Sequence, residues 1–154
     1  GAGSTFIFHV TFKKGAGGQG TFTDKKFERL EGLRVLVVED NPVNQLLAEQ
    51  VLKGWKCVVD IAVNGKIALE KVAGNDYDIV LMDIRMPVMD GYEATHRIRT
   101  QLRGSRSQVP ILALTAHAAL WESEKCLAIG MNGYLSKPYQ VNDLYEEILR
   151  LAAK

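Results

Sequence analysis

From Leu33 onward, short apolar runs alternate with segments whose apolar positions recur every three or four residues. That alternation predicts βα units packed into one parallel sheet with helices on both of its faces. Strands are expected near residues 34 to 38, 57 to 62, 78 to 82, 110 to 114 and 133 to 136, with helices between them. Ile79-Val80-Leu81-Met82 is apolar at consecutive positions, as a strand buried on both faces requires. The first helix opens on Asn41-Pro42, an N-cap residue type followed by proline at the first helical position, and carries Val43, Leu46, Leu47 and Val51 at helical spacing. Asn64 is placed to cap a second helix with Ile67, Ala68 and Val72 inward. The last helix shows Val141, Leu144, Ile148 and Leu151 along one face, with Asp143, Glu146, Glu147 and Arg150 outward.

Before Leu33 the pattern changes. Thr5-Phe6-Ile7-Phe8-His9-Val10-Thr11-Phe12 is β-branched and aromatic, with Phe6, Phe8, Val10 and Phe12 on one face at period two, and predicts a single strand. Gly15-Ala16-Gly17-Gly18-Gln19-Gly20 follows, then a polar stretch to Gly32. Those glycines spell a dinucleotide-binding fingerprint, but that motif needs a helix starting at its last glycine, and Thr21-Phe22-Thr23-Asp24-Lys25-Lys26 offers no apolar stripe there. Residues 15 to 32 are therefore read as a linker.

With 154 residues the chain holds one domain and an appendage, and its 19 basic residues nearly balance 18 acidic ones. No basic field is available to grip nucleic acid, and the densest basic stretch, Arg97 to Arg106, reads as a solvated helix end and loop. Cys57 and Cys126 are too few for a metal cage or a disulfide framework, which fits two small core residues in a reducing, cytoplasmic compartment. No apolar stretch approaches the ~20 residues that a membrane-spanning helix needs, so no membrane contact is expected of this piece of chain.

The chemistry lies at the strand ends. Glu39-Asp40 follow the first apolar run, Asp83 the third and Thr115 the fourth, while Lys137 follows Gly133-Tyr134-Leu135-Ser136. A parallel sheet brings those ends to one edge, where open α/β sheets carry their sites. Two carboxylates about 4 Å apart repel by ~4 kcal/mol at an effective dielectric of ~20, so three together must be protonated, paired or metallated. Carboxylate oxygens suit Mg²⁺, which takes one or two of them together with phosphate oxygens. With a cation and the Lys137 ammonium present, a phosphoryl group can approach, Asp83 can act as a nucleophile, and the Thr115 hydroxyl can donate to a phosphoryl oxygen. The constellation reads as a phosphoryl-transfer site without a glycine-rich loop.

These residues also carry a resemblance. Val35-Leu36-Val37-Val38-Glu39-Asp40-Asn41-Pro42-Val43-Asn44, Leu81-Met82-Asp83-Ile84-Arg85-Met86-Pro87-Val88-Met89-Asp90-Gly91, Ala113-Leu114-Thr115-Ala116 and Gly130-Met131-Asn132-Gly133-Tyr134-Leu135-Ser136-Lys137-Pro138 resemble the receiver domain of response regulators, in the form carried by hybrid histidine kinases. The likeness covers residues 33 to 154, about four fifths of the chain. It implies a doubly wound, flavodoxin-like sheet of five parallel strands in the order 2-1-3-4-5. It further implies that Asp83 accepts phosphate from phosphohistidine, and that Glu39, Asp40, Asp83 and the backbone carbonyl of Arg85 hold Mg²⁺, or Mn²⁺, directly or through water. Thr115 and Tyr134 would be a switch pair, Arg85 and His117 would tune rates at the entrance, and Lys137 would precede a cis bond to Pro138. The implied partners are a histidine kinase domain and a histidine-containing phosphotransfer protein, and the implied catalysis is limited to self-phosphorylation and autodephosphorylation.

Residues 1 to 14 resemble the last glycine box and final strand of a histidine-kinase ATP-binding domain, a resemblance that implies a receiver within a hybrid kinase rather than a free-standing regulator. An unpartnered strand at residues 5 to 12 is expected to be disordered, to dock on its own receiver or to pair with a second copy in a dimer. Two other classes compete. An aspartyl-phosphate phosphatase would want a second carboxylate two residues after the nucleophile, where this chain has Arg85. A flavin binder would need a phosphate-cradling loop where Glu39 and Asp40 stand.

Overall fold

A computed structural model describes residues 28–116 and 119–152. A short 3₁₀ turn, Glu28–Leu30, leads into β1 (Arg34–Val38), α1 (Pro42–Gly54), β2 (Val58–Ala62), α2 (Gly65–Gly74), β3 (Ile79–Asp83) and α3 (Gly91–Gln101). A second 3₁₀ turn, Gly104–Gln108, precedes β4 (Ile111–Thr115), α4 (Leu120–Ile129), β5 (Gly133–Ser136) and α5 (Val141–Ala152). The five strands form one sheet in the order β2-β1-β3-β4-β5, and every pairing is parallel. The expected fold class and strand order are those observed.

Alternate side chains of the strands feed two cores. Val35, Val37, Ile79, Leu81, Leu112 and Leu114 point to the face covered by α1 and α5, where they meet Leu52, Trp55, Leu144 and Ile148. Leu36, Val38, Val80, Met82, Ile111 and Ala113 point to the face covered by α2, α3 and α4, where they meet Ala68, Val72, Ala94, Ile98 and Cys126. All five residues of β3 are buried, because this strand is central and helices lie on both sides of it. Trp55 and Tyr145 seal the first core with an edge-on ring contact, centroids 5.4 Å apart.

The caps follow local chemistry. Asn41 Oδ1 accepts from the Val43 and Asn44 amides, Asn64 Oδ1 from Ile67 and Asp90 Oδ1 from Glu93, each at the start of its helix. β2 begins one residue later than expected, and β3 and β4 are shifted by one residue at both ends. Asp83 and Thr115 consequently lie within the sheet ladder, Asp83 opposite Leu114 and Thr115 opposite Ser136. Cys57 and Cys126 are buried core thiols.

Two expectations are corrected. Val43 and Leu46, on the apolar stripe that helical spacing marks, are 52% and 53% exposed, and the buried face of α1 is Ala48, Val51 and Leu52. None of residues 42–47 is buried, so the first turns of α1 overhang the sheet edge instead of packing on it. Leu30, assigned to the linker, is fully buried in the first core, and the Gly32 amide donates to the Lys56 carbonyl at 2.9 Å. The folded body thus includes the last residues of the expected linker. The expected strand at residues 5 to 12 and the glycine run lie outside the described residues. Among the described residues no helix is long and apolar enough to cross a membrane.

Candidate metal and phosphoryl site

β1, β3, β4 and β5 end at one edge of the sheet, and that edge gathers the polar groups. One oxygen each of Glu39, Asp40 and Asp83 lies within 4.8 Å of the others. Glu39 and Asp83 are buried, Asp40 is exposed, and Thr115 is buried at the end of β4. Lys137 arrives from the loop after β5, its amide donating to the Thr115 carbonyl at 2.6 Å and its peptide bond to Pro138 in the cis form. Its ammonium stands 3.0 Å from Glu39 Oε2 and 3.6 Å from Asp83 Oδ1.

Electrostatics sets these groups against one another. Burial, opposed by the Lys137 charge and reinforced by the charges of Glu39 and Asp40, pushes the Asp83 carboxyl up to about 6. One ammonium does not balance three carboxylates, so the site is built for a further cation. Hard oxygen donors from three carboxylates, one of them open to water, are the donor set that Mg²⁺ takes. Glu39, Asp40 and Asp83 fit that ion.

The loop between β3 and α3 is shaped by its contacts. Gly91 packs directly on the Asp83 carbonyl, a place any Cβ would occupy, and its amide donates to Ile84 O at 2.8 Å. Gly65 at the start of α2 packs as closely on the Met89 carbonyl and donates to it at 3.0 Å. Val88 takes a left-handed backbone at φ 72°, a conformation costly for a β-branched residue, and its side chain is exposed. The two glycines therefore clamp a strained loop directly behind the carboxylate.

Of the residues expected at the site, Glu39, Asp40, Asp83, Thr115 and Lys137 come together. Arg85 is exposed two residues beyond Asp83. Tyr134 pairs with Ala113 in the sheet and is 42% exposed, turned outward while Thr115 is buried. His117 lies outside the described residues. Three residues at the site were not anticipated. Asn44 Nδ2 donates to Glu39 Oε1 at 3.4 Å, and Gln45 Nε2 donates to the Glu39 carbonyl at 2.6 Å. Tyr139, just past Pro138, is pushed up to about 12 by burial and by the charges of Glu39 and Asp83. The available signal was polar or aromatic residues one helical turn after an acidic pair and two residues after the lysine.

Comparison with known proteins bears on this geometry. The family model described as "Response regulator receiver domain" matches residues 35–149. Hybrid signal transduction histidine kinase G of Dictyostelium discoideum is 42% identical over 123 residues, covering 79% of this chain and 4% of that protein. Autoinducer 2 sensor kinase/phosphatase LuxQ of Vibrio vulnificus is 36% identical over 154 residues, covering 98% of this chain and 18% of that protein. The chain thus spans only a small part of these curated relatives. Among solved structures, the receiver domain of sensor histidine kinase PA1611 from Pseudomonas aeruginosa PAO1, with a magnesium ion coordinated in its active-site cleft, superposes with a TM-score of 0.73 at 41% identity. That match covers 80% of this chain and 99% of the other. The receiver domain of Ssk1, crystallised with the histidine phosphotransfer protein Ypd1 of Saccharomyces cerevisiae, superposes with a TM-score of 0.73 at 31% identity, covering 80% and 90%.

Proposed function

The chain belongs to the response regulator receiver domain family, and from that premise we propose that it is the Mg²⁺-dependent phosphoacceptor of a cytoplasmic histidine-to-aspartate relay, carried by a hybrid histidine kinase. The observation that carries the reading is the convergence of Glu39, Asp40, Asp83 and Lys137 at one sheet edge. Bound there by Asp40 and Asp83, with Glu39 beside them, Mg²⁺ would neutralise charge on the incoming phosphoryl oxygens.

The chain's own residues do the rest. An ionised Asp83 oxygen attacks phosphorus in line with the departing imidazole nitrogen of the donor; the P–N bond breaks as the P–O bond forms. Solvent supplies the proton that the leaving imidazole takes up. Lys137 sits close enough to Asp83 to pair with the transferred group, and Thr115, at the end of the neighbouring strand, supplies a hydroxyl donor. Tyr134 would follow Thr115 inward when that hydroxyl moves, while Arg85 and His117 would set access and lifetime.

Val43 and Leu46, exposed on the overhanging turns of α1 just beyond Glu39-Asp40, support docking of a histidine-containing phosphotransfer partner over the site. The similarity to LuxQ, which runs through the N-terminal segment, supports reading residues 1 to 14 as the end of a kinase ATP-binding domain. The test is incubation with acetyl phosphate and Mg²⁺. Acid-stable, hydroxylamine-sensitive label is expected on the unsubstituted chain and none on Asp83→Asn; undiminished label on the variant would place the acceptor elsewhere.

A further inference from the structure

Glu39 is held at its main chain and at both carboxylate oxygens. Its amide donates to Ala62 O at 3.0 Å, extending the pairing of β1 with β2. Its carbonyl accepts from Gln45 Nε2 at 2.6 Å. On the carboxylate, Oε1 accepts from the Asn41 amide at 3.1 Å and from Asn44 Nδ2 at 3.4 Å, while Oε2 accepts from Lys137 Nζ at 3.0 Å. A carboxylate offers about four lone-pair sites; among the described residues Oε1 accepts two hydrogen bonds and Oε2 one, and the carboxylate also faces that of Asp83. Asp40 beside it is exposed.

The two carboxamides are not needed where they stand for the helix itself. Asn41 Oδ1 already accepts from the Val43 and Asn44 amides, and the Gln45 amide makes an ordinary helical bond to Asn41 O at 3.0 Å. Asn44 and Gln45 nevertheless turn their side chains back to Glu39 instead of out to water. One fixes its carboxylate and the other its main chain.

We propose that Asn44 and Gln45 are positioning residues for the divalent cation, holding Glu39 against Lys137 so that the acidic pocket of Glu39, Asp40 and Asp83 is pre-formed. Second contacts of this kind orient a ligand set and tune its affinity. The inference rests on the Mg²⁺-dependent phosphoacceptor reading.

The test is calorimetric titration of the full chain with MgCl₂, with no phosphodonor present. Asn44→Leu and Gln45→Met remove each donor at nearly constant volume, and unfolding midpoints in chelator report whether each variant is folded. The expected result is a Kd for Mg²⁺ raised about tenfold in each. For Asn44→Leu the rise should vanish in a Glu39→Gln background, because the amide acts through that carboxylate. Unchanged affinity in both single variants, or an equal loss with and without Glu39→Gln, would overturn the proposal while leaving the phosphoacceptor reading intact. Failure of the unsubstituted chain to bind Mg²⁺ would overturn both.

Discussion

Lys137 sits closer to Glu39 than to Asp83, with its ammonium 3.0 Å from Glu39 Oε2 and 3.6 Å from Asp83 Oδ1. The lysine thus bridges the first and third strands through a residue 98 positions away in sequence. Replacing it by methionine leaves two buried carboxylates without their cation, which costs about 1 to 3 kcal/mol. Denaturant unfolding of Lys137→Met should show that loss in chelator, and added Mg²⁺ should stabilise the variant more than the parent. Equal stabilisation of the two would mean that the ammonium and the metal do not share carboxylates.

The Asp83 carboxyl, raised to about 6 in the folded protein chiefly by burial, ties stability to pH. A folded value above the unfolded one means that the native state holds the proton more tightly. Its contribution is therefore fully present below about pH 4 and is lost as pH rises through about 6. In chelator, Asp83→Asn should be more stable than the parent at pH 7.5, by about 3 kcal/mol, and nearly equal to it at pH 4. Mg²⁺, which needs the ionised form, should bind progressively more weakly below pH 6. A parent whose stability relative to Asp83→Asn does not change between pH 4 and 7.5 would show that the carboxyl is not raised.

Gly91 has no room for a side chain, because a Cβ there meets the Asp83 carbonyl. Gly91→Ala must push the β3–α3 loop away from the carboxylate, at a cost of about 2 to 4 kcal/mol. Thermal unfolding and acetyl phosphate labelling should both fall. Full labelling with unchanged stability would show that the loop yields without moving Asp83.

Leu46 is exposed on the overhanging part of α1. Leu46→Asp should leave stability within about 0.5 kcal/mol of the parent and leave acetyl phosphate labelling unchanged. Transfer from a phosphorylated histidine phosphotransfer protein should slow by about tenfold or more, the effect of losing an interface anchor of 1.4 kcal/mol or above. Equal transfer rates would move the docking surface elsewhere.

Helix α4 is patterned against its surroundings. Glu122 is buried, with Oε1 accepting from the Tyr92 hydroxyl at 3.3 Å and Oε2 without a partner among the described residues, while Leu120, Trp121 and Leu127 are exposed. A buried carboxylate with one oxygen unsatisfied is costly. Glu122→Gln, which removes the charge at constant shape, should raise the unfolding free energy by about 1 kcal/mol. A loss of stability would show that the charge is compensated.

Much of this molecule can be read locally. A strand covered on both faces must be apolar at every position, so the run ending in Asp83 announces a central strand whatever its neighbours are. Asn41 and Asn64 cap their helices through bonds that span only two or three residues, and such chemistry is visible in the sequence. Once the strands are parallel, their ends share an edge, which brings Glu39, Asp40, Asp83, Thr115 and Lys137 together.

What the amino-acid order determined by itself was the βα alternation, the helix starts and the set of chemical groups at the strand ends, because each depends on short-range periodicity or capping. Only the tertiary structure decided that Val43 and Leu46 face outward, that Leu30 joins the core, that Lys137 pairs with Glu39, and that Asn44 and Gln45 turn back on the same residue. Helical spacing states which residues share a face. It does not state how far the helix runs past the sheet, and that overhang settles whether a face meets core, solvent or a carboxylate.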